Sequence, residues 1–109
     1  MKTFISLSAL FLSLSLTSQT NPATWYLNDA SGSGIQSDTN TASGNYSTAM
    51  GYSTIASGQG ISTAMGNTTT ASGFASTTMG QLTTAIGDYS TAMGEETIAS
   101  GSRSTAMGY

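Results

Sequence analysis

Residues 87–107 read GDYSTAM, GEETIAS, GSRSTAM: three consecutive units of seven residues, each opening on glycine, with Ser or Thr at position four and Ala at position six. The same Gly-x-x-[Ser/Thr]-x-Ala-x unit runs back to Gly44 and on to Gly108. Ala holds position six in every unit except one, where Thr78 stands instead. A single extra residue near Gly60 breaks the spacing and the register then resumes, as an insertion in a solenoid turn does. A second period lies over the first. Position seven alternates through Met50, Ser57, Met65, Ser72 and Met79, then Ile86 in place of Ser, Met93, Ser100 and Met107. The structural unit is therefore about fourteen residues, made of two similar but inequivalent halves.

Three architectures could carry a seven-residue period. A coiled coil needs two large apolar residues per heptad on good helix formers. Here a unit usually offers one, at position seven, and a glycine in every turn of helix costs about 1 kcal/mol relative to Ala. Collagen needs glycine at every third position, which is absent. What remains is all-β: a parallel β-solenoid in which each unit contributes a short strand, two strands make one coil, and the glycine closes the strand with positive φ in a tight turn.

Alternation along a strand assigns the faces. Position four (Ser47, Thr54, Ser62, Thr69, Ser76, Thr83, Ser90, Thr97, Ser104) and position six (Ala49, Ala56, Ala64 and their successors) share one face and are always small. They suit the inside of a narrow, flattened tube. Positions five and seven then face outward, Met on one side and Ser on the other. The competing arrangement, Met inside and Ala outside, crowds the tube and exposes a face of small residues. Burying a Met side chain is worth about 1.5–3 kcal/mol, and a contiguous apolar row on a soluble solenoid marks an interaction surface. The row Met50, Met65, Met79, Met93 and Met107 is thus expected to pack against other copies of the chain.

The residues before the array divide in two. Lys2 followed by the apolar stretch from Phe4 to Leu16 and the small polar Thr17 and Ser18 reads as a secretory signal over residues 1–18, with Gln19 as the new N-terminus. The stretch falls short of the about 20 apolar residues that span a bilayer. Residues 19–40 do not repeat and carry the sole proline and tryptophan, Pro22 and Trp25. They read either as a linker or as an N-terminal cap, with Trp25-Tyr26-Leu27 covering the first coil. The repeat array occupies residues 41–109.

Catalysis finds no support in this composition. There is no Cys and no His, which removes disulfides, thiol nucleophiles and imidazole chemistry. Many Ser are present without a base to activate one. Glu95 and Glu96 are neighbours on a turn, not a facing carboxylate pair, and Asp29, Asp38 and Asp88 do not form the nonapeptide of calcium-binding rolls. No catalytic residue, cofactor or metal site is expected. Beyond the leader Arg103 is the one cation, so neither a nucleic-acid backbone nor an anionic membrane surface would be held electrostatically.

The recurring Ser-Thr-Ala-Met-Gly, with x-x-Ser/Thr after each glycine, resembles the YadA-like head repeat (Hep/Hag repeat) of trimeric autotransporter adhesins over about residues 41–109. The resemblance implies a left-handed parallel β-roll that forms a homotrimer. It also implies a secreted or cell-surface place and a role in attachment to extracellular matrix protein, cells, glycan or other surfaces. The Met row is the candidate trimer interface. The variable turn residues Tyr46, Tyr52, Phe74, Tyr89 and Arg103 are the candidate ligand-facing positions. Family members carry a coiled-coil stalk and an outer-membrane anchor, which this chain lacks. The array stops at Gly108-Tyr109 without a capping segment, so a C-terminal truncation is expected. Two other readings stand beside the adhesin: a structural segment of a tail-fibre-like or other exported surface fibre, and an ice-binding solenoid. The latter is weakened because Thr at position five is not matched by Thr at position seven.

Overall fold

The computed structural model describes residues 26–27 and 34–109. The expected signal over residues 1–18, Pro22 and Trp25 lie outside the described residues. Eleven strands follow one another in the described chain: β1 (Tyr26–Leu27), β2 (Ile35–Gln36), β3 (Thr48–Tyr52), β4 (Ile55–Ala56), β5 (Thr63–Asn67), β6 (Thr70–Ala71), β7 (Thr77–Gln81), β8 (Thr84–Ala85), β9 (Thr91–Glu95), β10 (Ile98–Ala99) and β11 (Thr105–Gly108). They form two sheets. The larger runs β1-β2-β3-β5-β7-β9-β11 and the smaller β10-β8-β6-β4. Every pairing is parallel except the first, where β1 lies antiparallel on β2. The chain passes alternately from one sheet to the other, so the fold is a β-solenoid of about five turns.

Register shows the fourteen-residue coil directly. Thr63 lies beside Thr77, Thr77 beside Thr91, and Thr91 beside Thr105. The one longer step, Thr48 to Thr63, holds the extra residue at Gly60. The two halves of a coil differ in length as well as composition. Met-bearing units form strands of four or five residues that continue through the next glycine; the others form strands of two.

The interior is lined as side-chain alternation requires. Ala49, Ala56, Ala64, Ala71, Ala85 and Ala92 are fully buried, and so are Thr54, Ser62, Thr69, Ser76 and Thr83. The position-four residues separate into two columns by half-coil, Ser47, Ser62, Ser76, Ser90 and Ser104 in one and Thr54, Thr69, Thr83 and Thr97 in the other. So small a core removes little apolar area from water. Cohesion comes mainly from the backbone ladder between coils, with steps such as Thr48 N–H to Ser62 O and Thr63 N–H to Ser76 O, both 2.9 Å.

The positive φ expected of glycine is found at five of the ten unit-opening glycines, Gly51, Gly66, Gly80, Gly94 and Gly108, with values of 116–128°. A second set of positive-φ residues lies two residues after the unit-opening glycines, at the corners Tyr46, Ser53, Thr68, Ala75, Leu82, Tyr89, Glu96 and Arg103, with φ between 51° and 58°. Thr68, Leu82, Tyr89, Glu96 and Arg103 are held across coils by their backbone N–H: Leu82 N–H donates to Asn67 O at 2.9 Å, and Glu96 N–H to Gln81 O at 2.9 Å. The glycines also answer a second demand, the close stacking of one coil on the next. A Cβ built on Gly80 runs into the carbonyl oxygen of Gly94, and Gly80 also has a φ of 121° within strand β7. Glycine is needed there for contact and conformation together.

Stacking begins ahead of the visible repeats. Ile35 pairs with Thr48, which places Gln36 in the column of Ala49; Gln36 is buried, and its Oε1 accepts from Ala42 N–H at 2.7 Å. Asn40 occupies the place of a position-four Thr and is 3% exposed. Its Nδ2 donates to Ser37 Oγ at 2.6 Å and to Gly51 O at 2.9 Å.

Candidate functional site

The outer surface of the larger sheet carries two rows that follow from its register. Met50, Met65, Met79, Met93 and Met107 are consecutive partners across β3, β5, β7, β9 and β11, and Thr48, Thr63, Thr77, Thr91 and Thr105 form a parallel row two residues away. At the usual strand spacing the Met row is about 19 Å tall. Its end members Met50 and Met107 are 37% and 68% exposed, while Met65, Met79 and Met93 are half-buried by their neighbours in the row. Their side chains face out from the tube, opposite in sense to the buried Ala beside them. Ser57, Ser72 and Ser100 lie exposed after the short strands, on the other side of the coil.

The turn residues divide between the two edges of the flattened tube. Tyr46, Phe74, Tyr89 and Arg103 lie on the edge that leads into the long strands, whereas Tyr52 sits at the end of β3 and belongs to the opposite edge. Three of these five are brought into contact. The rings of Phe74 and Tyr89 meet edge to face, with centroids 5.5 Å apart and planes at 65°. The Arg103 guanidinium carbon lies 5.8 Å from the Tyr89 centroid, within cation–π range. Tyr46 is two coils away from Phe74, beyond the turn that holds the inserted Gly60.

That insertion and Asp88 shape the cluster. A Cβ on Gly60 would stand 2.5 Å from Phe74 Cε2, so the ring lies directly over the glycine. The Phe74 N–H donates to Asp88 Oδ1 at 2.9 Å, tying adjacent coils at this edge. Sequence reading placed Phe74, Tyr89 and Arg103 on turns without bringing them together. Gln59 was not singled out for this site. The spacing of fourteen between Phe74 and Asp88, and between Tyr89 and Arg103, was the signal that stacks each pair.

Among the described residues no group of three or more acidic side chains converges to hold a metal ion. The variable side chains sit on corners and outer rows, while the interior is confined to small residues and the two carboxamides of the first coil. Such a molecule is a repeat module whose specificity resides in its outer surface. A family model for the YadA head domain repeat matches it in two copies, at residues 42–60 and 84–109. The two matches cover the beginning and the end of the array, and over those residues the chain is similar to that repeat. The stretch between the two matches contains Ile61 and Thr78, where the repeat is least regular. No curated protein and no solved structure matches the chain.

Proposed function

We propose that the chain is a non-catalytic adhesion module that acts as a homotrimer, with the Met row as the surface between protomers and the turn edges left open to ligand. The in-register alignment of Met50, Met65, Met79, Met93 and Met107 supports this reading. An outward apolar row on a tube whose repeating coils are filled by Ala, Ser and Thr gives assembly a way to bury area that the monomer cannot. Residues 1–18 act as a cleaved export signal, and residues 19–40 lead into the head as its N-terminal cap, with Ile35, Gln36 and Asn40 stacked on its coils. Attachment is to matrix protein or glycan on a surface.

Light scattering on the array with Met65, Met79 and Met93 changed together to Glu tests the assembly. A monomer is expected, with the β-sheet circular dichroism signal retained. A trimer of undiminished mass places the interface elsewhere.

A further inference from the structure

We infer that the cleft formed by Gln59, Ser72, Phe74, Asp88 and Tyr89 is a binding subsite for a neutral saccharide ring. The inference rests on the reading of the turn edge as ligand-facing and names the ligand class for it. The cleft is open and encloses about 500 Å³, within the range of small-molecule sites, about 300–1,000 Å³. Its aromatic wall is fixed from behind: Phe74 rests on Gly60, Tyr89 packs against Phe74, and Arg103 lies over Tyr89. Both rings still present surface, 41% exposed at Phe74 and 55% at Tyr89.

The polar groups complement that wall. Asp88 is oriented by the Phe74 N–H on Oδ1, and its carboxylate has further acceptor capacity for hydroxyl donors. Gln59 brings a carboxamide able to donate and accept, and Ser72 a hydroxyl that donates to Ala85 O at 3.5 Å and keeps its oxygen as an acceptor. A pyranose has the matching construction, with C–H faces that lie on aromatic rings and hydroxyls around its rim. A cationic ligand would also find two rings and a carboxylate. However, the Arg103 guanidinium already lies over Tyr89, and a second positive charge would be opposed there. The cleft is made by turns of one protomer, so it does not require assembly.

The test is saturation-transfer NMR on the full chain with tri-N-acetylchitotriose, cellotriose and maltotriose as probes. Transfer to at least one trisaccharide is expected. Affinity should fall at least about tenfold in Tyr89→Ala and in Asp88→Asn, the loss of one well-placed contact. Asn keeps an acceptor for the Phe74 N–H, so Asp88→Asn leaves the turn intact. The assembly variant with Met65, Met79 and Met93 changed to Glu should retain saccharide binding. A failed trimer and a failed cleft are thereby told apart. Absence of transfer to all three probes overturns the inference, as does transfer unchanged in both cleft variants. Binding of tetramethylammonium with none of the sugars overturns it in favour of a cation cage.

Discussion

Thr54 directs both its backbone N–H and its side-chain hydroxyl to one atom, the carboxamide oxygen of Asn40, at 2.9 and 2.8 Å. Asn40 thereby stands at the head of the interior Thr column and seals it with a side chain that no later coil repeats. Removing that side chain leaves a buried N–H, a buried hydroxyl and the Gly51 carbonyl without their partner, at a cost of about 1–3 kcal/mol per group. Solenoid coils couple mainly to their neighbours, so the damage should stay local. In Asn40→Ala, hydrogen exchange at the Thr54 amide is expected to accelerate at least about tenfold. The Thr84 amide, bonded to Thr97 O, should keep its protection.

The division of labour between glycines and corner residues gives paired substitutions of opposite sign. Gly80→Ala drives a methyl into the Gly94 backbone at a φ of 121° and should destabilise by about 3 kcal/mol or more. Glu96 holds a φ of 53° with a full side chain, a conformation costing about 1–2 kcal/mol. Glu96→Gly relieves it and should be neutral to stabilising by up to about 1 kcal/mol. Urea midpoints at equal protein concentration read both. A stabilised Gly80→Ala would contradict the stacking geometry.

Thr78 is the one position-six residue of the array that is not Ala. Its side chain is fully buried and its hydroxyl makes no hydrogen bond with the protein. Thr78→Val keeps the volume and replaces the hydroxyl by a methyl. A gain of about 1 kcal/mol is expected, measured as a raised urea midpoint. A loss would mean that the hydroxyl has a role the packing does not reveal.

Much of the architecture was legible in the residues themselves. A fixed glycine spacing with Ala two places after Ser or Thr has few solutions, and the Met/Ser alternation revealed the two kinds of half-coil before any strand was placed. The first coil was hidden for a physical reason. Gln36 and Asn40 do the work of Ala and Thr through buried hydrogen bonds and so carry none of the repeat signature. The left-handed corners were assigned to glycine because glycine serves turns and close contacts alike. Only the stacked coordinates separate the crowding at Gly80 from the twist at Leu82. The Phe74–Tyr89–Arg103 cluster needed knowledge of which turns share an edge, and that depends on the half-coil lengths.

The outward Met row is also a set of chemical probes already in place, since accessible methionine is oxidised to the sulfoxide. If the row is the surface between protomers, Met65, Met79 and Met93 are shielded in the assembled protein. The most direct measurement is peptide mass spectrometry after brief peroxide exposure of the unmodified trimer, identified by light scattering. Sulfoxide formation at Met79 and Met93 is expected to run at least about tenfold slower than in the denatured chain, with slow oxidation giving way to dissociation as the row is modified. Oxidation at the denatured-chain rate in a sample that remains trimeric would contradict assembly through the Met row.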